Sequence, residues 1–159
     1  ICSGDGAASH IDFACNLFAE YGKGVEREVV YDVYDRFEGV TWYLQRTMNK
    51  LFTMTPTGGT CTMEYVSRAI DGILDENAAA YESLIFQIPP KQKALLMAIL
   101  ADGKAQAITS AAFIRKHGLV SASSVQSAIK GLVEKEFVTN ENGAYEAYDK
   151  FFALWLLRR

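Results

Sequence analysis

No motif or spacing in this 159-residue chain arranges its side chains as phosphoryl transfer, metal binding or nucleophilic attack requires. A phosphate loop cradles its ligand with backbone N–H groups and a Lys behind a Gly-rich turn, GxxxxGK[ST]. No such run occurs: Gly58-Gly59 is followed by Thr60-Cys61. His10 and His117 are the two imidazoles. His10 and Cys15 lie five apart with Cys61 distant, which is not the ligand spacing of a zinc site. Cys15 or Cys61 could be paired with His117 as thiol and base. A reactive thiol needs a depressed pKa and a base within reach, and the spacing supplies neither. The expectation is no catalytic, cofactor-binding or metal-binding residue, and a chain that is not an enzyme by itself. Cys2, Cys15 and Cys61 form no CxxC pair, so they read as reduced thiols of a cytoplasmic protein.

The residues suited to contact rather than catalysis cluster late in the chain. A helix starting after Ser121 turns Ser123, Ser124, Gln126, Ser127, Lys130 and Lys135 outward, in the position of a recognition helix. Gln can read adenine and Ser can touch phosphate. Arg115, Lys116 and Lys130 are the cations placed to meet phosphates. The contact set is therefore Arg115, Lys116, Ser123, Ser124, Gln126, Ser127 and Lys130. Two readings stand: weak DNA contact, or a solvated face on a module that binds protein. Arg, the commonest reader of guanine, is absent from that face, and Glu134, Glu136, Glu141 and Glu146 surround it.

These residues must be positioned by short elements with local signals. Pro90 suits the first turn of a helix bearing Leu95, Leu96, Ile99 and Leu100, which stops at Gly103. Ser110 caps a short helix ended by Gly118, and Ser121 caps a longer one with Val125, Ala128, Ile129, Leu132 and Val133 inward. Asn142-Gly143 predicts a tight hairpin between Phe137–Thr139 and Ala144–Ala147, since both turn positions tolerate positive φ. Asp149 caps a terminal helix carrying Phe151, Phe152 and Trp155. Three helices and then a hairpin is the winged helix-turn-helix order.

The first half reads as helices. Their apolar faces hold Ile11, Phe13, Ala14, Leu17 and Phe18; then Val29, Val30, Val33 and Phe37; then Trp42, Tyr43, Leu44, Met48, Leu51 and Phe52; then Met63, Val66, Ile70, Ile73 and Leu74. A fifth helix is predicted from Asn77 to Phe86. Ile88-Pro89-Pro90 marks the module boundary, because the residue before each Pro is pushed out of helical geometry. The fold class is thus mainly α with a small β wing: a helical bundle at 1–87, then a winged helix-turn-helix at 88–159.

Half the residues are hydrophobic and 22% are charged, a globular composition. From residue 89 onward there are ten basic and six acidic residues, against six and thirteen before it, which suggests two modules with different surfaces. No apolar run has the length of a membrane span. The chain opens at Ile1 without an initiator Met, and the expectation is a piece of a longer protein.

Gln87 to Arg159 resembles the C-terminal region of the archaeal-type ATPases, a branch of the AAA+/STAND P-loop proteins also found in bacteria. The resemblance rests on Ile88-Pro89-Pro90-Lys91-Gln92-Lys93, on Ser121-Ala122-Ser123-Ser124-Val125 with Ala128-Ile129-Lys130-Gly131-Leu132, and on Tyr148-Asp149-Lys150-Phe151-Phe152-Ala153-Leu154-Trp155. Phe37 to Gln45 is similar to that family's helical lid, with Thr41 where Pro is usual. No Arg stands at the nucleotide-sensing position of such lids; Arg36 and Arg46 are nearest. Glu136 stands where Gly is frequent. The resemblance implies an upstream ATPase domain of the same polypeptide, which would supply the ATP and Mg site. It implies that this chain is its C-terminal regulatory and interaction region, with a protein partner. The alternative is a winged-helix DNA-binding transcription regulator with an N-terminal helical module.

Overall fold

Where each helix begins and ends follows from local chemistry, and the computed structural model, which describes residues 4–159, places those ends close to their sequence signals. Cys2 lies outside the described residues. The chain forms two compact units divided between Glu76 and Asn77. The division falls inside one helix, because the two predicted helices across Met63 to Phe86 are a single helix of 24 residues. Nothing between Leu74 and Ala78 breaks a helix, so the i→i−4 ladder continues.

The first unit contains α1 (Gly4–Glu20), β1 (Gly24–Val25), α2 (Arg27–Arg36), α3 (Thr41–Met54), β2 (Thr60–Cys61) and the start of α4 (Met63–Phe86). β1 and β2 pair in parallel, with Gly24 opposite Thr60 and Val25 opposite Cys61. Sequence patterning gave no sign of this two-residue ladder. Gly24 permits it: a Cβ there would lie 2.8 Å from Thr60 Oγ1. The core is built from Phe18, Val29, Val33, Phe37, Leu51, Val66, Ile73 and Leu74. Four residues assigned to apolar faces by periodicity point out instead: Phe13 is 70% and Leu17 38% exposed in α1, and Trp42 is 61% and Met63 40% exposed, the last two each in the first turn of its helix.

The second unit contains the rest of α4, then α5 (Pro90–Asp102), α6 (Ala111–His117), α7 (Ala122–Glu134), β3 (Val138–Glu141), β4 (Ala144–Ala147) and α8 (Lys150–Arg158). Ser110, Ser121 and Asp149 each cap the following helix: Ser110 Oγ accepts from Phe113 N, Ser121 Oγ from Ser124 N, and Asp149 Oδ1 from Phe151 N and Phe152 N. β3 and β4 pair antiparallel around Asn142 (φ 53°) and Gly143 (φ 82°), as the hairpin signal predicts. Ala105 exchanges both backbone hydrogen bonds with Tyr145, each 2.8 Å, adding a third segment to the wing's edge. Leu95, Leu96, Ile99, Val125, Leu132, Val138, Phe151, Phe152 and Trp155 are buried. Tyr81 packs its ring 5.3 Å from Phe152 and 5.5 Å from Trp155, so the end of α4 belongs to this unit's core, ahead of the Pro89-Pro90 step. Val133, which periodicity placed inward, is 38% exposed.

Candidate functional site

α7 presents its surface because its buried face is spaced at i, i+3 and i+7: Val125, Ala128 and Leu132 point in. The opposite face carries Ser123, Gln126, Ser127 and Lys130, all exposed, with Ser124 half-buried. The structure therefore brings this part of the predicted contact set onto one helix face. Ser121 Oγ, besides capping α7, lies 3.2 Å from Ser123 Oγ, which ties one hydroxyl of the face to the helix end.

The cations behave unequally. Arg115 and Lys116 are both exposed near the end of α6. Lys116 Nζ lies 2.7 Å from Asp102 Oδ1, at the end of α5, and His117 Nε2 lies 3.2 Å from the same oxygen. The Lys116 hydrogen bond above all, and then His117, hold the Asp102 carboxyl below the usual Asp range. His117 is largely enclosed, and its ring lies 4.6 Å from that of Phe113, tilted by 53°. Lys116 is thus engaged within the fold, while Arg115 and Lys130 stand in solvent.

A cleft of about 440 Å³ runs beside α7 and is shared with the start of α5. Ser123, Ser124 and Ser127 form one side, and Lys91 and Gln92 the other. Val120, 77% exposed, sits at its edge. Sequence reasoning missed Lys91 and Gln92. They lie more than thirty positions away in sequence, and only the α5–α7 packing brings them to α7. Gly131 allows that approach: a Cβ there would meet Gln92 Nε2 at 2.3 Å. Gln92 Oε1 in turn accepts from Lys135 Nζ at 3.3 Å. The wing tip, Asn140 to Gly143, carries the carboxylate of Glu141 and no cation.

The other candidate groups have local partners. His10 Nδ1 is 2.9 Å from Gly6 O, and Cys15 Sγ is 3.9 Å from Val25 O. Cys61 is fully buried, and burial pushes its thiol up, which disfavours the thiolate. Arg36 pairs with Asp32 at 3.0 Å and Arg46 with Glu76 at 2.9 Å. Among the described residues, no group of three or more His, Cys, Asp or Glu is arranged to hold a metal ion. No described helix is long and apolar enough to cross a membrane.

Comparison with known proteins bears on residues 79–158, which match the family model described as a probable winged helix domain, just over half of the chain. No curated protein and no solved structure matches the chain.

Proposed function

The chain belongs to the probable winged helix domain family, and we propose, from its sequence resemblance and its surface, that it is a contact module: the C-terminal helical and winged-helix region of a P-loop ATPase, regulating and docking rather than catalysing. The observation that supports contact over catalysis is the face of α7. It offers hydroxyls and one amide around a single cation, Lys130, beside a wing tip that carries a carboxylate. Such a surface suits a protein partner better than a polyanion, since phosphate attraction dominates nucleic-acid affinity. The ATPase part of the reading rests on the sequence resemblance of Gln87 to Arg159 and of Phe37 to Gln45. In this reading ATP and Mg are held by the upstream domain, and nothing in the chain itself turns over a substrate.

A second reading, a DNA-binding regulator, is favoured by one observation. Lys91 adds a cation across the cleft from Ser123, Ser124 and Ser127. One measurement tests what both readings share, and a second separates them. Calorimetry of the chain with Mg-ATP is expected to give no binding; micromolar binding would reject a purely accessory role. Titration against random and genomic duplexes at physiological salt is expected to give weak, sequence-tolerant binding. Nanomolar binding to one site, lost on Gln126→Ala or Lys130→Ala, would make the chain a transcription regulator.

A further inference from the structure

The turn that forms the wing selects two residues that can also react with each other. A two-residue hairpin loop needs positive φ at both central positions, which Asn and Gly tolerate best. Asn142 (φ 53°) and Gly143 (φ 82°) occupy them, between strands of four residues each. Both are exposed. A Cβ built on Gly143 would meet no atom within 4 Å, so the backbone there lies open to solvent. An Asn side-chain amide is thermolabile. Its Cγ lies one five-membered ring closure from the backbone nitrogen that follows, and Gly, with no Cβ, shields that nitrogen least. One contact opposes the closure: Gly143 N donates to Asn140 Oδ1 at 3.0 Å. Asn140 is itself held, with Nδ2 donating to Tyr145 OH at 3.4 Å.

We propose that Asn142 is a site of spontaneous deamidation, and that Asn140 slows it by holding the hydrogen of the attacking nitrogen. The step consumes only water. Gly143 N gives up its proton and bonds to Asn142 Cγ; the Cγ–Nδ2 bond breaks and the side-chain nitrogen leaves as ammonia. Water then opens the succinimide ring. Attack at Cγ restores the ordinary backbone with an aspartate side chain. Attack at the main-chain carbonyl leaves an isoaspartate, whose backbone is one carbon longer. Nothing is oxidised or reduced. Gly143 N must lose its bond to Asn140 Oδ1 before it can turn on Cγ, so that bond sets the rate. Either product places a new carboxylate beside that of Glu141. Isoaspartate also lengthens a turn that the pairing of Glu141 with Ala144 closes with two residues. The conversion does not depend on what the wing touches. Its effect on contact rests on the reading above: a more acidic tip repels a polyanion further.

Ageing the full 159-residue chain in warm, mildly alkaline buffer and cleaving it with trypsin tests the proposal, because peptide 136–150 carries both asparagines of the wing. Fragment masses are expected to show the amide replaced by a carboxyl at Asn142 and not at Asn140, and isoaspartyl methyltransferase should label the product. A synthetic peptide 136–150, free of the fixed turn, should convert faster than the folded chain. Asn140→Ala should speed conversion in the folded chain roughly three- to tenfold, the factor that one net hydrogen bond represents. Asn140→Asp keeps the accepting oxygen and should stay near the unaltered rate, which separates the bond from a general loosening of the hairpin. A folded chain that keeps the Asn142 amide until the free peptide is fully converted overturns the proposal. So does an Asn140→Ala rate equal to that of the unaltered chain, or an Asn140→Asp rate as high as that of Asn140→Ala.

Discussion

At the scale of single residues, two buried or partly buried polar groups carry consequences that sequence alone could not supply. Thr47 is fully buried in α3, and its hydroxyl has no hydrogen-bond partner among the described residues. A buried hydroxyl without a partner costs roughly 1–3 kcal/mol, and Val keeps the shape without the oxygen. Thr47→Val is therefore expected to stabilise the chain by about 1 kcal/mol in a urea melt; destabilisation would mean that the hydroxyl has a partner. Asp102 acts in the opposite sense. Its folded-state carboxyl is held below the ordinary value, chiefly by Lys116. A depressed carboxylate contributes stability that is present above the unfolded-state value and is lost as pH falls through the folded one. Asp102→Asn should lower the melting temperature at pH 7, and the gap from the unaltered chain should close below about pH 4. Because Lys116 is well exposed, added salt should also narrow that gap. A gap that persists at acid pH would assign the effect to packing instead.

At the scale of elements, helix ends explain most of what was legible in the sequence and most of what was not. Ser110, Ser121 and Asp149 were readable because an N-cap bonds only two or three residues ahead. The Ala105–Tyr145 bridge was not, since forty residues separate the partners and Ala105 carries no strand pattern. Lys91 escaped notice for the same reason, as did the continuity of α4, where the polar run around Glu76 and Asn77 imitates a break. α7 ends in a Schellman motif: Phe137 N donates to Leu132 O and Glu136 N to Val133 O, with Glu136 at φ 60°. A side chain in that left-handed region costs on the order of 1–2 kcal/mol, part of which Gly loses again through its freer unfolded state. Glu136→Gly should thus stabilise the second unit by about 0.5–1 kcal/mol, read as a higher urea midpoint with unchanged slope. α8 offers the complementary case. Trp155 is 3% exposed, lies 5.5 Å from Tyr81 and carries the Arg159 guanidinium 4.7 Å over its ring. Trp155→Ala should cost roughly 3–5 kcal/mol, the range for a large buried aromatic. A loss under about 1 kcal/mol would make Trp155 a docking residue rather than a core one.

At the scale of the whole molecule, electrostatics decides how far the winged helix can act on nucleic acid. The net charge is −3, so no overall field draws the chain to a polyanion, and local cations must do so. Lys91, Arg115 and Lys130 are exposed, whereas Lys116 is occupied by Asp102. If those three reach phosphates, affinity should fall with salt at a log–log slope of about −2.7, at −0.9 per phosphate neutralised. Between 50 and 200 mM salt that is a loss of roughly fortyfold, shallow beside a protein making six to ten phosphate contacts. Dissociation constants should stay in the non-specific range, about 10⁻⁴ to 10⁻⁶ M at physiological salt. The four lysine and arginine variants then report separately. Lys91→Ala, Arg115→Ala and Lys130→Ala should each reduce the slope by about 0.9, because each removes one released counterion. Lys116→Ala should leave it nearly unchanged, because its ammonium is already neutralised within the fold. Anisotropy titrations of the four variants on one random duplex, at four salt concentrations, give all the slopes. A steep slope that Lys116→Ala also reduces would show that DNA outcompetes Asp102 for that ammonium. The α6–α7 surface would then be a nucleic-acid interface in its own right.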